Sequence, residues 1–255
     1  MFGLANARRV RAIVTGSIRN DMHIDSLLVG RVLAFAAMSV VLELASPALA
    51  GGGAHIVDDD ATLPAGICHV ESWLTLAEEA DGLAVAAPAC TFAALPHLEI
   101  ATAIQRTWGA DEVTTIAPAL KLNLRSFEDA PVGAALSGTA IWNTAEGRVE
   151  SFALIMPVSS RINERLVVHG NLGWIGQPGT DDRHALFWGA QAEFAIHPDL
   201  VLMGEVFGTD RGSPGGQAGL RWITDSGRID VDLLAGHRID GGSASSLTIG
   251  LTIRR

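Results

Sequence analysis

An alternation of apolar and polar residues with period two recurs along most of the chain and constrains its fold most strongly. In "RIDVDLLAGH", Ile229, Val231 and Leu233 share one parity, and Asp230 and Asp232 share the other. Period two places successive side chains on opposite faces of a β-strand, whereas a helix would bring apolar residues back at three and four positions. The alternation predicts twelve strands, at 68–77, 83–91, 97–107, 113–126, 132–143, 148–159, 164–176, 184–196, 200–208, 215–224, 228–238 and 245–254.

Short connections rich in Asp, Gly and Pro separate these segments, as in Asp225–Gly227 and His197–Asp199. Such connections join antiparallel neighbours, because a parallel pair needs a long crossover. We therefore predict a single all-β domain over residues 67–255, an antiparallel up-and-down meander of about 12 strands. Closing the sheet into a barrel would remove its edges.

The N-terminal region has a different character. "LLVGRVLAFAAMSVVLELASPALA" (Leu27–Ala50) combines Arg31, a short apolar run and a small-residue end, which is typical of a secretory signal peptide cleaved after Ala50. A buried helix or an anchor is the alternative, and Met22 would give a leader of ordinary length. We expect residues 1–50 to be a leader and 51–66 to be a flexible segment, in which Asp58–Asp60 form a solvated run of charges.

Charge and cysteine content narrow the possible partners. The formal net charge is −10, which argues against a nucleic-acid partner. Cys68 and Cys90 are the only cysteines, and in an exported chain they predict a structural disulfide that joins the first two strands. Two cysteines at this spacing do not suggest a metal site.

The apolar face of such a barrel points either to a soluble core or to lipid. The residues of the polar parity are mostly small, and the few charged ones among them are balanced in sign, which suits the interior of a barrel. The strands are about ten residues long, the length that a tilted membrane-spanning strand needs. With the export signal and the closing "LTIGLTIRR", residues 66–255 resemble a Gram-negative outer-membrane β-barrel, small and similar to a porin or transporter. The terminal Arg254-Arg255, where the class usually ends on an aromatic residue, and the absence of Tyr depart from its pattern.

This resemblance implies a lipid-facing apolar parity and a polar interior. Interfacial aromatic residues would then be Trp142, Trp174 and Trp222. The predicted lumen-facing polar lining is Glu99, Lys121, Asn123, Arg125, Gln191, Glu193, Glu205, Gln217, Arg221, Asp230, Asp232 and Arg238. Partners would be the lipid bilayer and the secretion and barrel-assembly machinery.

Asp230 and Asp232 share a strand face and could in principle form a catalytic pair of carboxylates. Arg238 and Arg221 are expected on that same face, so charge pairing inside a barrel explains them better. We expect no enzyme activity, no catalytic residues, no metal and no cofactor. The predicted function is a narrow outer-membrane channel or transporter for small or apolar solutes. The alternative is a soluble periplasmic or structural β-barrel, or a ligand-binding module, without transport activity.

Overall fold

The computed structural model describes residues 54–77, 81–109, 112–179, 184–224, 227–238 and 245–255. The predicted signal peptide and its cleavage point lie outside these residues. Within them, every predicted strand is present, with each end within two residues of its expected place. The strands are β1 (Cys68–Ala77), β2 (Gly82–Thr91), β3 (Leu98–Trp108), β4 (Thr114–Arg125), β5 (Gly133–Asn143), β6 (Arg148–Arg161), β7 (Leu166–Gly176), β8 (His184–His197), β9 (Leu200–Thr209), β10 (Gly215–Thr224), β11 (Ile229–Arg238) and β12 (Ser246–Arg254).

The strands form a closed barrel in which each pairs with its neighbours in the sequence. β1 completes the ring by pairing antiparallel with β12, with Val70 opposite Ile253 and Leu74 opposite Ile249. Cys68 and Cys90 lie opposite each other on β1 and β2 and form a disulfide. Among the described residues, no helix is long and apolar enough to cross a membrane.

Large apolar side chains cover the outside of the barrel. Leu172 is 64% exposed, Leu186 60% and Ile249 52%, although each lies within a regular strand. Phe187, which breaks the alternation of β8, instead points inward and is buried. A soluble monomer rarely exposes a contiguous apolar surface larger than a few hundred Å², so this outer surface requires an apolar environment.

The inside of the barrel has two layers. We call the opening where β1 begins and β12 ends the N-terminal mouth. Toward the opposite mouth, inward side chains pack into an apolar layer, which comprises Val85, Ala103, Ala117, Ile141, Ala153, Ile155, Ile175 and Phe187 with Trp73 and Phe207 against them. Toward the N-terminal mouth the wall is polar and charged, and this half holds the chemistry described next.

Candidate functional site

Part of the chain that precedes β1 lies inside the barrel. Residues 54–64, here called the luminal segment, extend from the middle of the barrel toward the N-terminal mouth, and Val57, Asp58, Asp60 and Leu63 are buried. The expectation of a solvated charge run at Asp58–Asp60 was wrong, and these residues belong to the stretch that we expected to be flexible. The structure differs because the wall supplies hydrogen-bond partners that a short polar sequence does not reveal.

Glu205, in the middle of β9, holds the backbone at the start of the luminal segment. Its two carboxylate oxygens accept hydrogen bonds from the backbone N–H groups of Ile56 at 2.8 Å and Val57 at 3.0 Å. The side-chain amides of Gln191 and Gln217 also donate to it, at 3.0 and 2.6 Å. Glu205 thus replaces the strand partners that this irregular backbone lacks.

Other wall side chains continue this pattern along the segment. Asn171 bonds Asp58 twice, accepting from its N–H at 2.8 Å and donating to its carbonyl at 2.7 Å. The N–H of Asp60 donates to the Ser159 hydroxyl at 3.0 Å, and Asn123 donates to the Asp60 carbonyl at 2.6 Å. Further bonds join Gln217 to the Ala54 carbonyl and Leu63 to Glu99. The wall therefore recognises the backbone of the segment with side chains from strands around the barrel.

Lys121 is the buried cation at the segment. Its ammonium lies 2.8 Å from Asp58 Oδ1 and 3.0 Å from Asp59 Oδ1, so one positive charge forms ion pairs with two carboxylates. Burial raises the pKa of Asp58 well above its ordinary value, and Lys121 offsets this only in part. Burial would also raise the pKa of Asp59, but the charge and hydrogen bond of Lys121, together with smaller contributions from His169 and the Ala61 N–H, outweigh it and leave this pKa below its ordinary value.

Two glycines of the wall allow the segment to approach closely. A Cβ atom on Gly133 would lie 2.2 Å from Asp60 Oδ2, and one on Gly189 would lie 2.7 Å from Val57 Cγ2. Neither space can hold a side chain while the segment is in place. The wall is therefore shaped to the segment as well as hydrogen-bonded to it.

A cavity of about 250 Å³ lies between the luminal segment and the wall formed largely by β1–β3. The cationic groups at this cavity already have acidic partners: Arg221 bonds Asp232 at 2.8 and 3.0 Å, and Arg254 bonds Asp230 at 2.6 Å. Three more carboxylates, which belong to none of these ion pairs, also face the cavity: those of Glu71, Glu99 and Glu193. The cavity is therefore lined by more negative than positive charge.

The two aspartates of β11 are the acidic partners of Arg221 and Arg254. Asp230 and Asp232 are buried, and each bonds an arginine on a different neighbouring strand, so the arrangement is that of two structural ion pairs. Within the described ranges, no group of three or more His, Cys, Asp or Glu side chains could hold a metal ion.

The remaining predicted lining residues vary in their placement. Lys121, Gln191 and Glu205 are buried inside the barrel, and Glu193 lines the cavity. Arg125 is exposed at the end of β4, beyond an irregularity in the pairing with β5. The side chain of Arg238 lies outside the described residues. His69 and Glu71 were not predicted as lining residues, although the parity of β1 would have selected them.

The three tryptophans predicted at the membrane interface all point away from the barrel interior. Trp142, Trp174 and Trp222 are 41%, 37% and 57% exposed and lie near strand ends. Trp73 is the contrasting case, because it points inward and packs against the apolar layer.

Solved structures with the same architecture are outer-membrane proteins. The KdgM porin in complex with disordered oligogalacturonate is 6% identical and has a TM-score of 0.59, with 72% of this chain and 98% of that chain covered. The NanC porin is 8% identical, with a TM-score of 0.58 and the same coverage of both chains. The COG4313 outer membrane channel from Pseudomonas putida F1 is 10% identical, with a TM-score of 0.54, 77% of this chain and 98% of that chain.

At these identities the likeness is one of fold: the chain has the closed, twelve-stranded antiparallel architecture of outer-membrane β-barrels. A comparison with curated proteins gives no match. One family matches residues 39–255, which include the whole barrel and the luminal segment. The chain therefore belongs to the family described as "Uncharacterised conserved protein UCP029691".

Proposed function

We propose that this protein is an outer-membrane channel or transporter of narrow bore for small solutes. The observation that carries the proposal is the inverted distribution of side chains, with large apolar residues outside and hydrogen-bonded charges in the half of the interior toward the N-terminal mouth. Lipid is the environment that such an exterior matches, and a polar interior is typical of barrels that enclose an aqueous path. The porin and channel folds named above support the same function and location.

The charges at the cavity favour one class of solute. Lys121, Arg221 and Arg254 are each paired with aspartates, which leaves Glu71, Glu99 and Glu193 facing the cavity as additional negative charge. Of these three, Glu99 also accepts the N–H of Leu63. Negative charge in a narrow, poorly screened space attracts cations and repels anions. We therefore expect small cations and neutral solutes to pass in preference to anions.

Reconstitution of the full-length mature protein in a planar bilayer tests this function. We expect small discrete conductance steps, and a reversal potential under a salt gradient with the sign of cation preference. The double replacement Glu71→Gln/Glu193→Gln should reduce that preference. The control Glu146→Gln, in the exposed turn between β5 and β6, should leave the preference unchanged. Recovery of the folded protein in the soluble periplasmic fraction, or bilayers that stay silent, would contradict the proposal.

A further inference from the structure

We propose that the luminal segment, residues 54–64, is a displaceable plug, and that its withdrawal toward the N-terminal mouth opens the barrel. This inference rests on the proposed channel function. The segment already occupies the polar half of the lumen, with Val57 and Asp60 almost completely buried. The mechanism therefore requires free space into which the segment can move. It also requires a docking free energy that is small enough to be overcome.

The contacts of the segment with the wall are of a kind that water can replace. Its backbone is held by polar side chains, among them Glu205, Asn171 and Ser159. When the segment leaves, these side chains and the freed backbone groups can hydrogen-bond to water that enters the lumen. Because water replaces each lost bond, the net cost of withdrawal is much smaller than the strength of the bonds themselves, which makes an open state accessible.

The segment also supplies part of the apolar layer. Ile56 packs against the cluster that contains Ile155 and Phe187, and Ala54 packs with Met203 and Leu234. Withdrawal removes Ile56 from the apolar layer and Ala54 from its contacts with Met203 and Leu234. Displacement of one segment would thus loosen both layers of the interior.

The connection to β1 provides a pivot at the mouth. Pro64, Ala65 and Gly66 are exposed, and Gly66 has a φ of 85°, a conformation that favours glycine. The Gly66 N–H donates to the Thr91 carbonyl at 2.6 Å, which fixes the chain just before the first strand. On the inner side of this pivot lies the cavity of about 250 Å³, so the segment has free space on one flank.

A reversible lock tests the mechanism in the full-length protein. A Cβ atom on Gly250 would lie 3.3 Å from the Cβ of Ala54, close to the roughly 3.5–4.5 Å of disulfides. The variant A54C/G250C, once mass spectrometry has verified the new disulfide, should open at least about tenfold less often than wild type in a planar bilayer. Dithiothreitol should restore opening. The matched control A54S/G250S, with and without dithiothreitol, accounts for size changes and for reduction of Cys68–Cys90.

A second variant covers the case in which the lock disturbs folding. Deletion of residues 55–63 should give a larger or more frequent conductance, and a synthetic peptide of those residues, added to the bilayer chamber, should reduce it again. A scrambled peptide of the same composition should not. An oxidised lock that opens as often as its serine control, or a deletion variant that conducts like wild type, overturns the plug while the channel function stands. A folded, inserted deletion variant that never conducts overturns both proposals.

Discussion

Replacing Glu205 with Ala should release the luminal segment from the wall without disrupting the barrel. The Glu205 carboxylate accepts the N–H groups of both Ile56 and Val57, and its residue is only 4% exposed. Alanine fits the β9 strand but offers no acceptor. The two N–H groups then lose their partners, and the segment becomes easier to detach.

The size of this effect follows from the type of bond. A hydrogen bond to a charged group contributes about 1.5–3 kcal/mol, so two of them give roughly 3–6 kcal/mol for the docked segment. The neighbouring cavity lets water reach the site and reduces the loss, which favours the lower figure. About 3 kcal/mol corresponds to a shift of roughly a hundredfold in the equilibrium between docked and detached segment.

Hydrogen–deuterium exchange read by mass spectrometry measures this equilibrium directly. Peptides that cover residues 54–63 should exchange about a hundredfold faster in Glu205→Ala than in wild type, while strand peptides keep their protection. Glu193→Ala is the matched control, because Glu193 faces the same lumen from β8 but, among the described residues, makes none of the bonds that hold the segment. Unchanged exchange in Glu205→Ala, or an equal increase in the control, would refute the reasoning.

Three further results are expected. Leu233→Arg, on the outer face, should destabilise the inserted barrel by about 2–4 kcal/mol near the bilayer midplane, as measured by denaturant unfolding in vesicles; a change below about 1 kcal/mol would speak against lipid contact. With both native cysteines replaced by serine, a fluorophore at Ile249 should be quenched by a lipid-soluble agent more strongly than one at Gly250, and equal quenching would indicate a packed protein exterior. Twelve strands place both ends of the barrel on one side, which we predict to be periplasmic, so the connection after Gly179 is predicted to face outside. An epitope inserted after Gly179 should then be detected on intact cells, whereas detection only after permeabilisation would reverse this orientation.

The strands could be predicted because alternation is a local property. In β11, Val231 and Leu233 point outward while Asp230 and Asp232 are buried inside, as the parity requires. Closure of the ring follows from the short turns, which leave only β1 and β12 to pair. Phe187 shows where prediction from alternation fails. It is an apolar residue at a position of the polar parity, and its place inside the barrel is explained only by the apolar neighbours that it meets in the lumen.

The luminal segment could not be predicted in the same way. It has no regular secondary structure, and its polar run Asp58–Asp60 is typical of a solvated linker. Its partners are distant in sequence and are scattered singly over strands whose own alternation needs no such partner. Only the closed barrel brings Lys121 next to Asp58 and Asp59, and the Phe127 N–H next to the Asp60 carboxylate. These contacts explain how three consecutive aspartates can lie inside.

The position of the luminal segment also imposes an order on biogenesis. It is synthesised before any strand, yet its partners Asn171 and Gln217 lie 113 and 163 residues away from the atoms that they bond. Contacts of such long range form late, because the intervening chain must first be ordered. The earliest part of this domain to be translated is therefore the last to reach its place, and its full set of bonds can form only after β10 has joined the sheet.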